Sequence, residues 1–162
     1  MSKIIVAESA GFCFGVNRAI NILYKLIDEN KPACTLGPII HNMQMVNELR
    51  EKGVRTIDKI SEAKENETIV IRSHGVPQSI VDEINERHLD YIDATCPFVS
   101  KIHKIVSETD DDSIVIIAGD KNHPEVQGIM GHCKSKCYTF KNQEELQELF
   151  SIIPQKNYKT IK

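Results

Sequence analysis

The chain has 162 residues, 41% of them hydrophobic and 27% charged, which is enough apolar material for one core or two small ones. A formal net charge of -3 lacks the clustered basic surplus that marks a nucleic-acid partner. The opening run Ile4 to Ala7 is too short for a signal-peptide core or a membrane span, so the sequence reads as cytoplasmic. Its five cysteines, an odd number with no secretory context, argue for thiols or metal ligation rather than a disulfide framework.

In chain order, Lys3–Ala7 reads as a buried strand. Val16, Ala19, Ile20, Leu23, Leu26 and Ile27 then recur on one helical face. Ala33–Gly37 is a second short strand, followed by a helix from Asn42 to Lys52 that Gly53 should terminate. Thr68–Arg72 is a strand, and Pro77 suits the first turn of a helix running to His88. Tyr91–Asp93 and Ser113–Ala118 are strands separated by a helix from Phe98 to Glu108. A short helix near Glu125, a strand at Cys137–Phe140 and a helix at Gln143–Phe150 complete the alternation. Strands alternating with helices of this length imply βαβ units, and hence an α/β fold with parallel sheets. Two small lobes are expected, 1–96 and 97–162, divided where Pro97 succeeds Cys96.

The chemistry lies in the loops at the strand ends. Cys13 stands in "AGFCFGV", His41 in "GPIIHN", His74 in "RSHGVP", Cys96 in "DATCPFV", and His123 with Glu125 in "NHPEVQG". Parallel sheets bind ligands at the carboxyl ends of their strands, so this recurrence carries more weight than any one residue alone. Thiolates are soft metal ligands, and three histidines offer nitrogen donors for a phosphorylated ligand without a permanently cationic surface. Glu125 is the carboxylate these motifs offer as a proton donor. Phe12 and Phe14 would shield a metal-bound thiolate from water, while Gly11 and Gly15 would let the backbone approach it. Asp93 reads as a turn cap and His88 and His103 as surface or packing residues. His132, Cys133 and Cys137 read as structural because lysines interleave them and no matching ligand pair stands elsewhere.

These five motifs, in this order and spacing, resemble the LytB family of 4-hydroxy-3-methylbut-2-enyl diphosphate reductases over essentially the whole chain. The resemblance implies three α/β lobes around a [4Fe-4S] cluster. It implies reductive dehydroxylation of an allylic diphosphate to isopentenyl and dimethylallyl diphosphates. It makes Cys13 and Cys96 cluster ligands, His41, His74 and His123 substrate-binding residues, and Glu125 catalytic. The expected electron donor is a reduced ferredoxin or flavodoxin. The resemblance also implies a third lobe beyond Lys162 that holds the third cysteine ligand and packs against the strand before Cys13, so the chain as given is expected to be an inactive fragment. Two other readings of the residues stay open. One is a non-enzymatic α/β module that binds a diphosphate; the other is a zinc-binding domain using His132, Cys133 and Cys137 or the two loop cysteines.

Overall fold

The computed structural model describes residues 3–153 and 160–161. Helix α1 (Phe14–Asp28) precedes strand β1 (Ala33–Leu36), helix α2 (Met43–Glu51) and strand β2 (Arg55–Ile57). A 3-10 turn at Ile60–Glu62 leads to β3 (Thr68–Ile71), α3 (Gln78–Glu86) and β4 (Tyr91–Asp93). Then come α4 (Pro97–Ser107), β5 (Ser113–Ala118), α5 (Pro124–His132), β6 (Lys136–Phe140), α6 (Gln143–Ile152) and β7 (Thr160–Ile161). The strands form two sheets, ordered β2-β1-β3-β4 and β6-β5-β7, and every pairing is parallel.

Alternation along the strands distributes the first sheet's side chains between two cores. Ala33 and Val70 join Ala19, Ile20 and Leu23 of α1 and Leu49 of α2 on one face. Cys34, Leu36, Ile69 and Ile71 join Ile60 and Ile84 on the other, under the 3-10 turn and α3. Both faces are covered, which is why β1 and β3 read as unbroken apolar runs. Burial pushes the Cys34 thiol up to about 11, leaving it a core residue.

Several expectations need correction. Lys3–Ala7 forms no strand; Ile4, Ile5 and Val6 are 88%, 79% and 74% exposed. Apolar residues favour a strand only where a neighbouring strand accepts their backbone bonds, and none pairs with this segment among the described residues. Pro77 caps α3 from outside as its N-cap rather than occupying the first turn. Helix α3 stops at Glu86, so His88 lies beyond it at φ +53. There the His88 amide donates to Asn85 O and the Leu89 amide to Ile84 O, a Schellman closure. The equivalent position after α2 holds Gly53, as expected, at φ +94.

The contrast between those two caps gives a test. A left-handed residue costs about 1–2 kcal/mol, and glycine's extra unfolded-state entropy returns part of that, so His88→Gly should stabilise the fold by about 0.5–1 kcal/mol. Urea unfolding of the two proteins measures it, and an unchanged or lower midpoint would contradict the strain at His88.

Candidate functional site

The strand-end loops of the first sheet are tied to one another in series. The Ser73 amide and hydroxyl both donate to Ile39 O, at 3.3 and 3.2 Å, linking the loop after β3 to the loop after β1. The Cys96 amide donates to Ser73 O at 2.9 Å, linking the loop after β4 to both. Ser73 is buried, and its small hydroxyl fits where the loops converge. Nothing in its apolar-strand context singled it out.

Cys96 is the N-cap of α4 and Cys13 the N-cap of α1. A Cβ added at Gly15, in the first turn of α1, would stand 2.6 Å from Cys96 Sγ, so only glycine lets the second thiol sit against that turn. Arg18 of α1 holds this arrangement from the side, its guanidinium donating to Asp93 O and Thr95 O at 3.1 Å each. Asp93 caps the same turn, as expected, accepting from the Thr95 amide at 2.8 Å. Gly11 has another reason than close approach: nothing lies within 4 Å of its missing Cβ, and its φ of +146 is what demands glycine. Phe12, Phe14 and Phe98 stand exposed beside the two cysteines.

The three histidines meet. Ring centroids lie 4.5 Å apart for His41 and His74, 5.7 Å for His41 and His123, and 5.9 Å for His74 and His123. Burial, then the charges of His41, Arg72 and His123, pushes His74 down to about 4, so its ring is neutral at neutral pH. His123 caps α5, its Nδ1 accepting from the Glu125 amide at 3.2 Å. That acceptor role places the neutral ring's proton on Nε2, which becomes a donor. Glu125, in the first turn of α5, is partly exposed.

His123 comes from the second sheet, and glycines bring its helix close. Gly131 allows α5 to touch Pro77, whose Cα would be 2.7 Å from a Cβ there. Gly75 and Gly128 flank His103; a Cβ at Gly75 would be 2.5 Å from its Cε1. His103 is therefore a buried packing residue, stacked on His132 at 4.1 Å, and burial pushes it down to about 4. His132 Nε2 lies 3.0 Å from Val76 O, tying α5 to the loop after β3. Cys133 and Cys137 pack against the core of Val106, Val115 and Ile129, and burial, reinforced by Cys133, pushes Cys137 up to about 12. No three His, Cys, Asp or Glu side chains are grouped to hold a metal ion among the described residues. The cradle at Gly15 sets the Cys96 thiol against the turn that begins at Cys13. Cys34, Cys133 and Cys137 are taken up by packing. No helix among the described residues is long and apolar enough to cross a membrane.

The sequence model of the family described as LytB protein matches residues 4–161. A 4-hydroxy-3-methylbut-2-enyl diphosphate reductase of Caldanaerobacter subterraneus is 43% identical over 152 residues, covering 91% of this chain and 53% of that protein. The reductase of the same name from Clostridioides difficile is 41% identical over 149 residues, with 91% and 53% covered. The chain thus spans about half the length of the curated relatives it matches. Among solved structures, an (E)-4-hydroxy-3-methyl-but-2-enyl diphosphate reductase, described as the terminal enzyme of the non-mevalonate pathway, superposes with a TM-score of 0.77. It is 41% identical, with 93% of this chain and 55% of that chain covered. The Plasmodium falciparum enzyme gives 0.77 at 27% identity, with 87% and 45% covered.

Proposed function

Because this chain belongs to the LytB family, we propose that the whole protein is a 4-hydroxy-3-methylbut-2-enyl diphosphate reductase. It removes the substrate hydroxyl with two electrons and two protons, releasing water and giving isopentenyl and dimethylallyl diphosphates. We read residues 1–96 and 97–162 as two of its lobes, the cytoplasm as its compartment, and a reduced ferredoxin or flavodoxin as its electron donor.

The observation that carries this reading is the convergence of His41, His74 and His123 within 5.9 Å at strand ends. Three imidazoles at that spacing offer N–H donors to the several oxygens of one diphosphate, and a neutral His74 donates without competing for a proton. His123 contributes Nε2–H because its Nδ1 is spent on the helix cap. Cys13 and Cys96 would hold two corners of a [4Fe-4S] cluster, which supplies electrons and an open iron as a Lewis acid. Helix N-termini carry partial positive charge, and both thiols stand at one, which suits an anionic thiolate-bound group. Glu125, next to the capped turn of His123, delivers a proton to the reacting allylic group.

The test is substrate binding by His41→Ala and His74→Ala in the whole protein. Loss of a charge-assisted hydrogen bond worth ~1.5–3 kcal/mol should weaken the diphosphate substrate about 10- to 150-fold while iron content holds. Unchanged binding in both variants would return these histidines to a structural role. A colourless, iron-free protein that still binds the diphosphate would favour a non-enzymatic module.

A further inference from the structure

The carboxyl edge of the first sheet has a second opening. In the order β2-β1-β3-β4 the chain adds β2 on one side of β1 and then β3 on the other, so its direction of growth reverses between β1 and β3. Open parallel sheets bind ligands in the crevice outside such a reversal. A groove of about 510 Å³ lies there, reached by Gly37 after β1, Lys59 after β2 and Arg72 after β3. None of the three clustered histidines lines it.

Arg72 is the partly buried cation of this groove, whereas Lys59 is exposed. Its guanidinium rests over Gly37, where a Cβ would be 2.6 Å from Nη1, and the φ of +71 at Gly37 independently favours glycine. Its Nε donates to Gly75 O at a long 3.4 Å. No carboxylate pairs with it among the described residues: Glu83, which also lines the groove, is held by Arg87 at 2.8 Å, and Glu67 by Arg55. Burial makes the charged form of Arg72 costlier than in water. A partly buried guanidinium with open donors in a planar fork is matched by a carboxylate or phosphate. Beside it Ile60, Val76 and Ile80 form an apolar wall. Asp58 at the rim disfavours a ligand of high negative charge.

We propose that this groove is an anion site separate from the histidine cluster, taking a small molecule with one phosphate or carboxylate group on Arg72 and a short apolar body against Ile60, Val76 and Ile80. The site requires neither the cluster nor the substrate assigned above, so it stands or falls apart from that reading.

Calorimetric titration of the whole protein with 3-methylbutyl phosphate, and separately with inorganic phosphate, tests it. The alkyl phosphate should bind, and more tightly than inorganic phosphate, because the added methylenes leave water. Arg72→Met should weaken it at least ~10-fold, the lower range for a charge-assisted bond, and Arg72→Lys should restore part of the affinity. Ser61→Asp, at an exposed position on the groove rim, should weaken it without touching the core. His41→Ala, which removes binding at the histidine cluster, should leave the Arg72-dependent binding in place. Equal affinity of wild type, Arg72→Met and Ser61→Asp would overturn the site. So would abolition by His41→Ala, which would place the phosphate at the histidines, or inorganic phosphate binding as well as the alkyl ester.

Discussion

Replacing Cys13 or Cys96 by serine should strip the whole protein, purified without oxygen, of its iron and its brown colour. A serine hydroxyl stays protonated and is a hard, weak ligand where a soft thiolate is needed. Gly15→Ala should reach the same end by another route. The new methyl would stand 2.6 Å from Cys96 Sγ and 3.0 Å from its Cβ. The first is shorter than Cβ contacts tolerate and the second is at the tight limit, so Cys96 must swing away from the turn that starts at Cys13. Because Gly15 bears no ligand atom, its effect isolates geometry from chemistry. Iron and sulfide content, with circular dichroism to confirm folding, are the measurements. Full iron and sulfide in either serine variant would sink the assignment of that cysteine. Normal content in Gly15→Ala would show that Cys96 need not sit where the structure puts it.

Glu125→Gln should lower turnover by roughly 100-fold or more, a typical general-acid contribution, while substrate affinity and iron content change little. Glutamine keeps the size of the side chain and leaves the backbone amide at position 125 free to hydrogen-bond His123 Nδ1, so the helix cap persists. What disappears is the titratable proton. Single-turnover reduction and substrate binding, measured side by side, separate the two effects. Near-normal turnover would move the proton source to the substrate's own diphosphate or to another residue. A loss confined to affinity would make Glu125 a binding residue instead.

The sequence disclosed the elements whose burial is symmetrical. Strands β1 and β3, and the first half of β5, are buried on both faces, so hydrophobicity alone marked them. Strand β2 escaped because Arg55-Thr-Ile57 is three residues at a sheet edge with Thr56 exposed, which leaves no periodic pattern to read. The opposite error was Lys3–Ala7, where the apolar signal was present and a pairing strand was not. At the site, each strand-end histidine was visible as a polar residue in a Gly- or Pro-marked loop. That His41, His74 and His123 come within 5.9 Å was invisible, since it depends on contacts between residues far apart in sequence. The Ser73 ties, the Arg18 clamp and the Gly75, Gly128 and Gly131 contacts are of this kind.

The glycine contacts between α5 and the loop after β3 also bear on when the site exists. The first sheet is assembled largely from successive βα steps, whereas the cluster must join residues 41 and 74 to residue 123 across a much longer loop. Closing long loops costs entropy that is recovered only once the distant surfaces pack. On a growing chain the three rings therefore meet only after the second sheet's helix has been synthesised and has docked. In the finished protein the same seam is crossed by the contact of His132 Nε2 with Val76 O and by bare glycine backbone set against Pro77 and His74 O. Parting the molecule there would disperse the three histidines while leaving each sheet's own hydrogen bonds intact.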